Sequence, residues 1–119
     1  MVVLLVVQDF HWVFGQLASA ICKYNPDITI LYADAYLIRS APDEFLNLVE
    51  QSDMVHWITN LANVNHEVTL QSLSLRPTLA GMYHVVPGEE EKVDSVTRAT
   101  HIHVMSSEWR DYLDIIHLV

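Results

Sequence analysis

The sequence predicts a single α/β domain in which a parallel β-sheet is covered by helices on both faces. Short apolar runs alternate with segments whose apolar residues recur at helical spacing, which is typical of repeated strand–helix units. Hydrophobic residues make up 51% of the 119 residues and charged residues only 18%. This balance suits strands that are buried on both faces, because such strands are apolar throughout. One domain, residues 1–119, is predicted.

Five strands follow from the apolar runs, and they are predicted at Val2–Val7, Ile28–Tyr32, Met54–Ile58, Thr78–Tyr83 and His101–Met105. Helical segments are predicted at residues 10–24, from 40 onward, at 66–73, from 89 onward and at 108–116. Right-handed crossovers leave few topologies for such a chain. We therefore expect a Rossmann-like three-layer αβα sandwich with five strands in the order 2-1-3-4-5.

Charge and cysteine content exclude several classes of protein. The net charge of −9 provides no basic surface for nucleic acid or for an anionic membrane. Cys22 is the only cysteine, so no internal disulfide is expected and a reducing, cytoplasmic compartment is predicted. Its apolar neighbours indicate a buried structural thiol. No apolar segment is long enough to span a membrane.

The loop after the first strand is unusually aromatic. In open α/β sheets ligands bind outside the carboxyl ends of the strands, which is where this loop lies. Its aromatic side chains suit stacking on a sugar ring, and Gly15 suits close approach of the backbone to a phosphate. Packing of the helix onto the sheet is the alternative, and the residues alone favour it. Dinucleotide and P-loop fingerprints are absent, because the loop has a single glycine. The candidate ligand contacts here are Asp9, His11, Trp12, Phe14 and Gly15.

Further candidates follow the later strands. His84 comes directly after the fourth strand, where an imidazole suits a general base or a hydrogen bond to a sugar hydroxyl; a structural role is equally compatible. Trp57 and Asn60 mark the end of the third strand. Ser106 and Ser107 follow the fifth, where helix capping is the default interpretation and anion binding the alternative.

The histidines do not form a metal motif. His101 and His103 share one face of a strand, but a third ligand is missing, so core or edge histidines are favoured over a zinc site. The same holds for His56. No metal site and no cofactor are predicted.

Three segments in order resemble the N-terminal domain of GT-B glycosyltransferases, particularly those of family 4. They read SDMVHWITN, RPTLAGMYHVVPGEEEKV and RATHIHVMSSEWRDYL. The first is similar to that family's Asp-apolar-Val-His strand, and the second to its basic-Pro strand that ends in a His-bearing loop. The third is similar to its Ala-Asp strand that leads to Ser and then Leu. The resemblance covers essentially the whole chain and is strongest from Ser52 to Leu113.

The resemblance implies the acceptor-side half of an enzyme that transfers sugar from a nucleotide-sugar donor. His84 would face the reacting centre, and the other candidate residues would line the cleft towards a sugar or glycolipid-type acceptor. Phe14-Gly15 stands where the family usually has a Gly-Gly pair. The donor site would lie in a C-terminal domain that these 119 residues do not include, so no turnover is expected from them alone. A homodimer through an apolar face left uncovered is a further expectation.

Two alternatives stay open. One is a stand-alone flavodoxin-like module that binds a protein or a small ligand, with a closed polar surface. The other is a small hydrolase that uses His84 with Asp9 or Ser106, although no triad spacing recommends it.

Overall fold

A computed structural model of the chain describes residues 1–7, 13–58, 65–82 and 100–104. Its strands are β1 (Val2–Val7), β2 (Thr29–Asp34), β3 (Met54–Ile58), β4 (Thr78–Met82) and β5 (His101–Val104). Its helices are α1 (Val13–Tyr24), α2 (Ala35–Ser40), α3 (Pro42–Gln51) and α4 (His66–Leu75). None of these described helices is long and apolar enough to cross a lipid bilayer.

The strands form a parallel sheet in which β1 is an inner strand. β1 pairs with β2 on one side and with β3 on the other, and β4 lies beyond β3. The predicted α/β class, the parallel sheet and the strand order 2-1-3-4 are therefore confirmed. Of the fifth predicted strand, the structure describes four residues, β5, and these pair in parallel with β4.

The core lies on both faces of β1. Five of its six residues, Val3 to Val7, are buried. Leu4 and Val6 belong to a cluster with residues of α2, α3 and α4, whereas Leu5 and Val7 belong to a second cluster with Ala18 of α1. Successive strand residues point to opposite faces, so an uninterrupted apolar run requires a helical layer on each side. Burial of each such side chain contributes about 1.5–3 kcal/mol.

Helix α2 was not predicted, because its segment was interpreted as a loop around Asp34. Asp34 is instead the last residue of β2, and its Oδ1 accepts a hydrogen bond of 2.9 Å from the Leu37 N–H. That bond caps the start of α2. Six residues are too few to show helical periodicity, so the capping aspartate was the only sequence signal.

Several predicted boundaries shift by one or two residues. β2 begins at Thr29 instead of Ile28, because the Ile28 N–H bonds to the Asn25 carbonyl within a turn. Helix α4 extends to Leu75, two residues beyond the prediction, and ends where the Arg76 N–H bonds to the Ser72 carbonyl. Residues 8–12, 83–99 and 105–119 lie outside the described residues, so the predicted starts and ends that fall there stay predictions.

The side chains of Asp53 and Arg76 form hydrogen bonds at the amino-terminal edge of the sheet. The Asp53 Oδ2 accepts a bond of 2.7 Å from the Val2 N–H, and the Asp53 N–H donates to the Val2 carbonyl. The guanidinium of Arg76 donates from Nε to the Ser52 carbonyl at 2.9 Å and from Nη2 to the Glu50 carbonyl at 2.7 Å. A cation is favoured at these carbonyls, because they belong to the carboxyl end of α3.

Replacement of Arg76 tests how much its hydrogen bonds contribute to the stability of the fold. Arg76→Ala should lower the free energy of unfolding by about 1–3 kcal/mol, because two charge-assisted bonds to the end of α3 are lost. Arg76→Lys should recover only part of the loss, since an ammonium cannot reproduce the planar fork. The measurement is urea unfolding followed by circular dichroism. Gln71→Ala, at an exposed position of α4, is the control and should change stability by less than about 0.5 kcal/mol. An Arg76→Ala variant as stable as this control would contradict the assignment.

Candidate functional site

A topological switch point, called the crevice, lies between the carboxyl ends of β1 and β3. β1 pairs with β2 and β3 on its two sides, and Val7 lies in register with Ile58. Helix α1, which follows β1, packs on one face of the sheet, whereas α3 and α4 pack on the other. The helices that follow these two adjacent strands therefore lie on opposite faces of the sheet. In doubly wound folds this switch point is where ligands bind.

Most predicted site residues follow these strand ends directly. Val7 and Ile58 are paired, so the connections that begin at residues 8 and 59 start from neighbouring strand ends. The ligand contacts predicted for seven residues stay predictions, since these lie outside the described part of the chain: Asp9, His11, Trp12, Asn60, His84, Ser106 and Ser107. Phe14 and Gly15 belong to the first turn of α1 instead of the preceding loop. Their contacts to a ligand also stay predictions.

Trp57 lies within β3 and not in the connection after it. Its side chain is fully buried and meets the Phe45 ring edge-on, with the ring centroids 5.8 Å apart. The structure thus gives Trp57 a packing role in the layer formed by α3 and α4, while its predicted substrate contact stays a prediction. Within the described residues, neither its indole Nε1 nor the buried Oγ of Ser72 has a hydrogen-bond partner. Such buried polar atoms are rare in folded proteins.

Side chains cap two of the helices that begin near the carboxyl ends of the strands, namely α2 and α4. Asp34 caps α2, as described above. Asn65 caps α4, because its Oδ1 accepts a bond of 3.2 Å from the Val68 N–H. The Asn65 carbonyl also accepts from the Thr69 Oγ at 2.7 Å. The sequence interpretation overlooked Asn65, although an asparagine directly before a helical segment is a recognised capping signal.

A tyrosine–cysteine contact joins β2 to α1, away from the crevice. A hydrogen bond with the Cys22 side chain and partial burial together raise the pKa of Tyr32 from 10.0 to about 12. Cys22 itself is half-buried, so it is less buried than the predicted structural thiol. The reason is its position near the carboxyl end of α1, beside an edge strand that is only partly covered.

Metal-binding groups do not converge in the described residues, where no cluster of three or more histidine, cysteine or acidic side chains has metal-site geometry. His56 is half-buried in β3, in register with Leu5 and Leu79. The backbones of His101 and His103 pair with Leu79 and Gly81 of β4.

Comparison of the chain with protein-family models, with curated proteins and with solved structures found no match. The crevice and its flanking residues therefore carry the functional interpretation.

Replacing Cys22 tests the cause of the Tyr32 shift. Because the raised pKa favours the neutral phenol in the folded state, this contact stabilises the fold below pH 10 and loses its effect as the pH rises towards 12. Cys22→Ala should move the pKa of Tyr32 back towards 10.0, as followed by NMR of the tyrosine Cζ. The exposed Tyr36 is the internal control, and its Cζ resonance at neutral pH should be the same in both proteins. An unchanged Tyr32 titration in Cys22→Ala would show that the thiol is not the cause.

Proposed function

We propose that this chain is the acceptor-binding N-terminal domain of a GT-B glycosyltransferase, family 4-like, that uses a nucleotide-sugar donor. Its acceptor site would be the crevice between the carboxyl ends of β1 and β3. The proposal includes a complete three-layer sandwich in which β5 is a full member of a five-stranded sheet. The donor would be held by a second domain, so this domain by itself is expected to bind acceptor without turnover.

The observation that carries the proposal is the pairing of Val7 with Ile58. It makes the aromatic connection after β1 a neighbour of the Asn-rich connection after β3. Aromatic rings beside amide and carboxylate groups are the chemistry that recognises a sugar, because the rings cover its apolar face and the polar groups bind its hydroxyls. The segment SDMVHWITN, which resembles a family 4 motif, adds support, since it runs through the end of β3.

The candidate residues would have different roles in the proposed site. Trp12 and Phe14 would stack on the acceptor, and Asp9 with Asn60 would hydrogen-bond its hydroxyl groups. His11, Gly15, Trp57, Ser106 and Ser107 would complete or support the walls. His84 would face the reacting centre, where a neutral imidazole is suited to accept the proton of the attacking hydroxyl. No metal is required for this division of roles.

A stand-alone flavodoxin-like binding module is the second candidate. The strand order 2-1-3-4 is shared with flavodoxin-like folds, which bind at the same β1/β3 switch point. The two candidates therefore predict the same location but different ligands.

Titration with small ligands tests the proposal. The ¹⁵N-labelled chain is titrated with N-acetylglucosamine, with octyl glucoside below its micellar concentration, and with flavin mononucleotide, while backbone amide and indole resonances are recorded. We expect a saccharide to shift the Trp12 indole and the amides next to Val7 and Ile58. Trp12→Ala should weaken this binding by about two- to tenfold, since one stacked ring contributes about 0.5–1.5 kcal/mol beyond the area that it buries.

Tyr24→Ala is the matched control, because Tyr24 is exposed at the carboxyl end of α1, the opposite edge of the sheet from the crevice. It should bind saccharide as the unmodified chain does. Shifts caused only by the flavin would favour the flavodoxin-like module. No response to either saccharide at millimolar concentration would contradict an acceptor site.

A further inference from the structure

The outer edge of β2 is regular and presents backbone groups outwards. β2 pairs with β1 over six consecutive positions without a bulge, and among the described strands none lies on its other side. The Thr29 N–H donates to the Met1 carbonyl at 3.0 Å. Backbone groups alternate between the two sides of a parallel strand, so the N–H and C=O of Ile30 face away from β1.

Within the described residues, this edge has little of the usual protection against pairing with another strand. Natural edge strands carry lysine, proline or a bulge, or are very short. Residues 28–33 read ITILYA, without charge or proline. Only Ala33 of β2 is buried; Ile30 and Leu31 are half-buried, and Tyr32 is 39% exposed. Both faces of the strand are therefore apolar and incompletely covered.

Two exposed tyrosines flank the edge. Tyr24 is 72% exposed at the end of the helix before β2, and Tyr36 is 76% exposed at the start of the helix after it. They therefore lie beyond opposite ends of the strand. Tyrosine is enriched in protein interfaces, because its ring adds apolar area while its hydroxyl still forms a hydrogen bond.

We infer that β2 pairs antiparallel with β2 of a second copy of this chain, which gives a two-fold symmetric dimer with one continuous sheet. The two-fold axis places Tyr24 of each copy at the end that carries Tyr36 of the other. The contact is isologous and closed, so it uses up both β2 edges. It does not depend on saccharide binding, since the crevice lies at the β1 and β3 ends.

The charges around the edge fit an antiparallel second copy. Lys23 and Asp27 lie near the amino end of β2, and Asp34 and Arg39 lie near its carboxyl end. Antiparallel pairing brings each basic residue near an acidic residue of the other copy, whereas the strip between them is uncharged. The uncharged strip contributes nothing to the net charge of −9. The charges at each end of β2 in one copy complement those at the opposite end of β2 in the partner.

Sedimentation equilibrium over a concentration series tests the dimer. The chain should approach twice its monomer mass of 13.6 kDa as concentration rises. Ile30→Pro removes the outward N–H but keeps the Thr29–Met1 bond, so the dimer dissociation constant should rise at least about tenfold. Ile30→Val keeps that N–H and should dimerise normally. Circular dichroism establishes that both variants are folded.

Amide hydrogen exchange of the unmodified chain is a second measurement of dimer formation. The Ile30 amide should be protected from exchange at high protein concentration and exposed on dilution. The Thr29 amide, bonded to Met1, should keep its protection throughout. A chain that stays monomeric at millimolar concentration, or an Ile30 amide whose exchange is independent of concentration, would overturn the proposal. So would open-ended association in place of a dimer.

The orientation has its own test. Asp27→Arg should weaken the dimer, and Arg39→Asp added to it should restore association, because the exchanged charges again meet across the axis. A double variant weaker than the Asp27→Arg single variant would contradict antiparallel pairing.

Discussion

The burial of β1 on both faces is the constraint on which the rest of the fold depends. A strand with five consecutive buried apolar residues cannot face water on either side, so helices must cover it from both. Leu4 and Val6 anchor the layer of α2, α3 and α4, and Leu5 and Val7 anchor α1. Parallel pairing on both sides of β1 then follows, because the chain must cross over a face of the sheet to begin each new strand.

The location of the candidate site is a consequence of that arrangement. The last residues of β1 and β3, Val7 and Ile58, are paired, but the helices that follow these strands, α1 and α4, lie on opposite faces of the sheet. The caps of Asp34 and Asn65 set the start of the neighbouring helices at this same edge. The edge strand β2 is the opposite case: among the described strands it has a neighbour on one side only, and apart from Ala33 its apolar side chains are incompletely covered. The proposed ligand site and the proposed association surface thus lie at different places on the same sheet, the first between β1 and β3 and the second along the outer edge of β2.

The sequence predicted those parts of the structure that depend on apolar pattern. Met54–Ile58 was predicted with its exact bounds, and β1 likewise, because both are continuous apolar runs between polar residues. Helix α2 was missed, since it is too short for periodicity and is defined by one cap. The burial of Trp57 and the partial exposure of Cys22 were also missed, because both depend on contacts between segments far apart in sequence. The crevice could be located from strand order alone, whereas the roles of its loop residues depend on how separate connections meet.

Truncating adjacent residues of β1 tests the two-sided core most directly. Leu4 and Leu5 are both fully buried, but they belong to different layers. Leu4→Ala and Leu5→Ala should each lower the free energy of unfolding by about 2–5 kcal/mol, whereas Met1→Ala, at a position 69% exposed, should have little effect. If either leucine variant were as stable as the Met1 control, one face of β1 would be open, and the layered fold described above would be contradicted.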